Sequence, residues 1–340
     1  MKVLLKILLL IYAALTITCK LSGQNLFDDS TILNLELKYE IEQVHADVGI
    51  DPSYHDGEIA YLNEYGAKVS FPVKVKTRGI FRKKPSNCSQ PPLMLKFKSG
   101  DTNYTIFEGI DKLKLVVPCK EKYKYQNLIL REYLVYKLYQ IISPYAYKVR
   151  LLNLKMVDAN SYDSSLSYAF LIEPTALLAK RLGGTVLERK NYHPNACNRK
   201  AYNKMAVFQY MIGHTDWSIK ALHNIKLIEL EPYAPPIPIP FDFDFSGFVN
   251  APYALPAEHL PINSVKERHF NGYCRPANEY IDVFNLFIAK RDTIRNTIST
   301  FTYLPEKERK ILIKYIDEYY DVILSDTKRK SKILSKCRTD

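Results

Sequence analysis

Two short stretches of this chain concentrate side chains able to do chemistry. The first is Ile212-Gly213-His214-Thr215-Asp216-Trp217, followed by His223-Asn224-Ile225-Lys226-Leu227. The second is Pro240-Phe241-Asp242-Phe243-Asp244-Phe245-Ser246-Gly247, with Asp242 placed 18 residues after Asn224. Carboxylates set among aromatic rings at the end of an apolar strand are costly to bury unless something pairs with them. A divalent cation is the natural partner, because Mg²⁺ is held by one or two carboxylates together with phosphate oxygens. An Asp, a later Asn and a further Asp on the next strand form the layout of a phosphotransfer site.

Such residues need elements to bring them together, and the hydrophobic periodicity supplies these. Val69 to Thr77 alternates, with Val73 and Val75 on one face and Lys74 and Lys76 on the other. Leu93 to Lys98 and Lys112 to Val117 repeat the pattern. A helix is expected over 126–142, where Leu130, Tyr133, Leu134, Leu138, Ile141 and Ile142 recur at three- and four-residue steps, with Pro144 beyond its end. Strands near 149–157 and 167–172 form an expected hairpin. Helical spacing returns at 200–213, 278–298 and 305–325, with strands at 224–230 and 237–243 between the first two helices. The fold class read from this order is α+β in two lobes: a mainly β N-lobe with one central helix over 24–173, and a mainly helical C-lobe over 174–326. A basic tail, read as a solvated or frayed end, covers 327–340.

With these stretches in order, residues 70–250 resemble the CotH-like atypical kinases, named for a spore-coat protein and sharing the protein-kinase-like fold. The resemblance rests on Thr77-Arg78-Gly79 in a basic loop, the strand ending Leu95-Lys96-Phe97 and the helix Leu130-Arg131-Glu132-Tyr133. Phe170-Leu171-Ile172-Glu173 resembles the approach to an interlobe hinge, and the Asp216–Asn224 loop and Asp242-Phe243-Asp244 follow. It implies that Asp216 is the catalytic carboxylate and that Asn224 and Asp242 hold Mg²⁺, or Mn²⁺, with Asp244 as an alternative or second ligand. It further implies that Arg78 and Lys96 engage the phosphates of ATP and that Glu132 pairs with Lys96. Two features depart from the protein-kinase pattern. Asn224 follows Asp216 by eight residues rather than five, and no G-x-G-x-x-G loop is present, so Arg78, Arg82, Lys83 and Lys84 would have to replace backbone amides around phosphate.

Plainer roles compete at each position. Asp216 could cap a turn, Asp242 and Asp244 could be exposed on an edge strand, Lys96 could belong to a solvated strand face, and Glu132 could lie on a helix surface. Trp217 is expected to pack against its own loop. A zinc site from His214, Asp216 and His223 matches no metal signature. The implied activity is phosphate transfer from Mg-ATP to hydroxyl groups of a secreted or surface protein. The alternatives are a non-catalytic pseudokinase or scaffold that binds a partner or nucleotide, and nucleotidyl transfer on the same fold.

Of 340 residues, 47% are hydrophobic and 25% charged, values that exclude a largely disordered chain. Lys2 and Lys6 before the apolar run Ile7–Ile17 read as a secretory signal over 1–23, cleaved near Gly23/Gln24, which places the protein in the periplasm, at the cell surface or outside the cell. No other segment is apolar and long enough to span a membrane. Cleavage would remove three lysines and no acid, lowering the net charge from +12 to +9. Export makes nucleic acid an unexpected partner and directs the basic balance towards phosphate groups or an anionic surface. The charge is local: residues 73–98 carry eight Lys/Arg and no acid. Cys88 and Cys119 flank the strands of the first half and could be bridged if those strands pair. Cys197 and Cys274 could form a second bridge, and the odd count left after cleavage leaves a thiol over. Sequons stand at Asn87 and Asn103.

Overall fold

The computed structural model describes residues 26–339, so the expected signal segment over 1–23 lies outside the described residues. The chain is an α+β protein with a β-rich N-terminal region and a helical C-terminal part. Seven strands close a barrel in the order β1-β2-β3-β4-β5-β7-β6: β1 (Leu33–Tyr39), β2 (His55–Leu62), β3 (Lys68–Thr77), β4 (Leu93–Lys96), β5 (Lys112–Val116), β6 (Val149–Asp158) and β7 (Ser164–Ile172). A short helix, α1 (Ile41–Ala46), follows β1. Neighbouring strands are antiparallel except β1 and β6, whose parallel pairing closes the sheet. The alternation of each strand sends Leu35, Leu37, Val73, Val75, Leu93, Leu95, Leu113 and Leu115 into one interior core. Each such fully buried aliphatic side chain contributes roughly 1.5–3 kcal/mol. Lysines between them, such as Lys74 and Lys76, stay outside and pair with Asp56 and Asp51.

Helix α2 (Tyr123–Ile142) enters between β5 and β6 and packs against β6 and β7. Twelve of its 20 residues are buried, including Arg131 and Glu132, so it has no solvent face of ordinary width. The reading of Glu132 as a surface residue is thereby overturned: it is 2% exposed. The helix is enclosed because the C-terminal part covers the side that the barrel leaves open. Arg131 donates to Val249 O at 3.0 Å and forms an ion pair with Glu308.

The C-terminal part begins with α3 (Thr175–Arg181) and continues through β8 (Thr185–Leu187) and α4 (Arg199–Met211). β9 (Ile225–Glu229) and β10 (Ile237–Pro240) join β8 in a three-stranded sheet ordered β10-β9-β8. Helices α5 (Ala277–Ala289), α6 (Arg291–Ser299), α7 (Glu306–Ile323) and α8 (Asp326–Lys332) follow. The single helix expected over 278–298 is therefore two, parted at Lys290.

Cys88–Cys119 and Cys274–Cys337 are disulfides, which fits an exported protein. The expected Cys197–Cys274 bridge is not formed, because Cys197 is a buried free thiol beside α4 and Cys274 is joined to the C-terminus. The basic tail is not frayed. It is solvated, since α8 buries none of its residues, but the chain just beyond that helix is anchored by the fully buried Ile333 and by the disulfide at Cys337.

Candidate functional site

Helix α4 delivers the first functional loop. After Met211 the chain turns at Gly213, whose φ of +65° favours glycine and whose Cβ would lie 2.2 Å from Tyr315 Oη. Two backbone bonds of 3.0 Å, Gly247 N–H to Gly213 O and Phe248 N–H to Ile212 O, join this turn to the segment that follows Asp244. His214 is buried, with Nδ1 bonded to Gln209 Oε1 at 3.1 Å, and its carbonyl accepts the Trp217 indole N–H at 3.1 Å. Trp217 is buried; its indole N–H is bonded within its own loop, while its ring packs against Tyr202 of α4.

Asp216 is half-exposed, and both of its carboxylate oxygens are engaged. His223 Nε2 lies 2.8 Å from Oδ1, and the Asn224 side-chain amide donates to Oδ2 at 3.2 Å and to the Asp216 carbonyl at 2.8 Å. A tight hairpin closed by reciprocal Ser218–His223 backbone bonds takes up the extra length between Asp216 and Asn224. The eight-residue spacing therefore still returns Asn224 to Asp216. No donor reaches Asn224 Oδ1 among the described residues, which leaves that oxygen available to a cation.

The second segment starts where β10 ends at Pro240, so Asp242 and Asp244 lie in a turn and not on an edge strand. Phe241 N–H donates to Asn224 O at 3.0 Å, setting Asp242 beside the first loop. Asp242 adopts a φ of +62°, and its N–H donates to Tyr136 Oη on α2 at 2.9 Å. Phe243 is fully buried against Tyr136, Phe208 and His214, while Asp244 accepts from Tyr253 Oη at 3.0 Å.

Cations come from the barrel side. Arg78 Nε donates to Leu93 O at 3.2 Å, and Arg82, 8% exposed, donates to Val117 O. Their loop is stapled at its far end by Cys88–Cys119, and Phe81 within it packs on Phe245 and Tyr253. Lys114, on the strand directly before α2, places Nζ 4.4 Å from the centre of the Phe241 ring, beside Asp242.

Lys96 is not part of this group. It ends β4 on the exposed outer face, opposite Lys74 and Lys112, with Nζ 5.6 Å from the Tyr54 ring. The expected Lys96–Glu132 pair is not formed, because the register of β4 points Lys96 to solvent while Glu132 faces Asp244 and Arg82. Lys114 is the lysine that sequence reasoning missed. Its signal was its place on the strand preceding the Glu132 helix. Glu173 is committed elsewhere, in a two-point bond with Arg181 at 2.8 Å.

The electrostatics follow from burial. Desolvation, then the charges of Asp244 and Asp242, push Glu132 well above the usual carboxylate range. Burial and then Asp242 push Asp244 up to about 7. Burial and then Arg78 push Lys114 down to about 8. Burial alone would raise Asp216, but the His223 bond and charge outweigh it and hold the carboxyl low, and that same bond raises His223. Burial drives His214 down to about 4.

Arg78, Arg82 and Lys114 thus face Glu132, Asp242 and Asp244, yet no ion pair within 4 Å joins any of these cations to any of these carboxylates among the described residues. Arg82, Glu132, Asp244 and Tyr253 line one small shared pocket. The larger cavities, such as one of about 540 Å³ beside His45 and Lys120, lie away from this cluster. Among the described residues no three His, Cys, Asp or Glu side chains are placed to hold a metal by themselves. A divalent cation here would need the Asn224 oxygen and oxygens from a ligand, the donor set that suits Mg²⁺ with a phosphate. Comparison with protein-family models and with curated proteins finds no match to this chain.

Proposed function

We propose that this chain is an exported kinase-like phosphotransferase, passing a phosphoryl group from Mg-ATP, or Mn-ATP, to hydroxyl groups of a secreted or surface protein. The observation that carries the reading is the gathering of Arg78, Arg82 and Lys114 around Glu132, Asp242 and Asp244, half of them buried, with no ion pair within 4 Å joining the two sets among the described residues. Unpaired buried charge is expensive, and a phosphate-bound divalent cation would satisfy both walls at once. The connectivity supports the same reading. β3-β4-β5-β7-β6 with α2 inserted after β5 follows the two-lobed protein-kinase-like plan, in which a strand lysine and a glutamate on the next helix serve the phosphates. Lys114 and Glu132 occupy those places.

In this reading Lys114 and Arg78 hold the phosphates, while Asn224 and Asp242, with Asp244 behind them, hold the cation. A bound Mg²⁺ would supply neutralisation of the charge on the nucleotide's phosphates. Asp216 orients the acceptor hydroxyl and takes its proton as the new O–P bond forms and the bond to the ADP leaving group breaks. His223 keeps the Asp216 carboxylate ionised and turned towards Asn224.

The test is Mg²⁺-dependent transfer of labelled γ-phosphate by the wild-type chain and by Asp216→Ala, Asp242→Ala and Lys114→Met. Loss of label in all three variants is expected, and equal incorporation by wild type and variants would sink the mechanism. A thermal shift with Mg-ATP but no transfer would support the nucleotide-binding scaffold instead. Mass spectrometry of the modified acceptor separates phosphate from nucleotidyl transfer.

A further inference from the structure

We infer that Tyr136 is the positioning residue for Asp242: its hydroxyl accepts the Asp242 N–H and so sets where the carboxylate meets a nucleotide-bound cation. This rests on the proposed function and adds a residue to which that reading gives no role. Asp242 holds a left-handed φ of +62°, a conformation that a non-glycine residue keeps only when its surroundings enforce it. The enforcing contact is the 2.9 Å bond to Tyr136 Oη, on a ring that is 2% exposed and packed 4.8 Å from Phe243 and 5.7 Å from Phe170.

Tyr136 stands one helical turn after Glu132, so both project from the same face of α2. One helix face thereby contacts both members of the Asp-Phe-Asp segment: Glu132 lines the pocket with Asp244, and Tyr136 bonds Asp242. The helix cannot shift without moving the turn. Arg131 ties it to the Val249 carbonyl, just beyond that turn, and to Glu308 in the first turn of α7. The position of α2 thus reaches the Asp242 backbone through the Tyr136 hydroxyl.

The experiment compares wild type, Tyr136→Phe and Tyr139→Phe for binding of the non-hydrolysable ATP analogue AMP-PNP, with Mn²⁺ and with chelator. Melting temperatures are recorded alongside. Phenylalanine keeps the ring contacts and removes only the acceptor. Tyr139 is equally buried but packs on Phe208, away from Asp242, and serves as the control. The expected result for Tyr136→Phe is a loss of roughly five- to tenfold in Mn²⁺-supported affinity, the worth of one hydrogen bond. Metal-free affinity stays within about twofold, and Tyr139→Phe shows no such split. Mn²⁺-supported affinity unchanged in Tyr136→Phe, or falling in step with metal-free affinity, overturns the inference. A wild-type chain that binds the analogue with no gain from Mn²⁺ also overturns it, while one that binds no nucleotide at all overturns the proposed function and this inference with it.

Discussion

Replacing Lys114 by methionine should make the empty protein more stable and the nucleotide-bound protein less so. Its ammonium lies beside the Phe241 ring with Arg78 and Lys226 nearby and no carboxylate within ion-pair distance, so the folded state pushes it from 10.5 down to about 8. At 1.36 kcal/mol per pH unit this is roughly 3 kcal/mol against the charged form. The side chain keeps some contact with water, which trims the figure to about 1–2 kcal/mol. The penalty is present in full below about pH 8 and fades as pH rises towards 10.5, so the stability gap between variant and wild type should be widest near neutrality. A phosphate ligand reverses the sign, because the lost charge-assisted hydrogen bond is worth about 1.5–3 kcal/mol of binding. Urea unfolding at pH 7 and pH 10, with and without Mg-AMP-PNP, reads both effects. Lys96→Met, on the exposed barrel face, should stay within about 0.5 kcal/mol of wild type in each condition. A Lys114→Met protein that is less stable when empty, or that keeps the wild-type ligand shift, would refute the reasoning.

Two further outcomes concern the scaffold. Burial, opposed in part by a Ser89 backbone bond, holds His45 down to about 4, so it is neutral in the fold while the unfolded chain protonates it near 6.5. Stability is therefore complete above pH 6.5 and falls by roughly 2–3 kcal/mol on the way to pH 4. His45→Gln should flatten that part of the wild-type profile in pH-dependent urea titrations, and an identical profile would contradict it. The Cys274–Cys337 bridge closes a 63-residue separation, for which chain-entropy arguments give about 4 kcal/mol. Cys337→Ser should lose stability of that order and expose α8 to limited proteolysis, and unchanged protease resistance would show that Ile333 alone holds the helix.

Much of the site was legible because its chemistry is local in sequence. Asp216, Asn224, Asp242 and Asp244 stand in two short stretches, and β9, β10 and their turns fold those stretches together with bonds between near neighbours in the chain, such as Phe241 N–H to Asn224 O. The strands of the barrel were legible where alternation was regular, as at Val73 and Val75. β1 and β2 were not read, although Leu33, Leu35, Leu37 and Tyr39 alternate, and the parallel pairing of β1 with β6 joins residues over a hundred positions apart. Lys96 and Lys114 shared the same kind of alternating strand. Their difference comes from which outer face α2 and the C-terminal part cover, and no strand pattern carries that information.

By itself the sequence determined the α+β order, the alternating strands, the grouping of the aspartates and Asn224 into two short stretches, and the concentration of positive charge ahead of β4. These follow from period, turn chemistry and composition, which act over a few residues. Only the tertiary structure decided that Arg78 and Arg82 lie near Glu132 and Lys114 near Asp242 while Lys96 joins neither, that Cys274 joins Cys337, and that the basic tail forms a solvated helix anchored just beyond its end. Those outcomes depend on burial and on contacts between distant segments. A charge becomes expensive, and therefore functionally suggestive, only once the rest of the chain has removed its water.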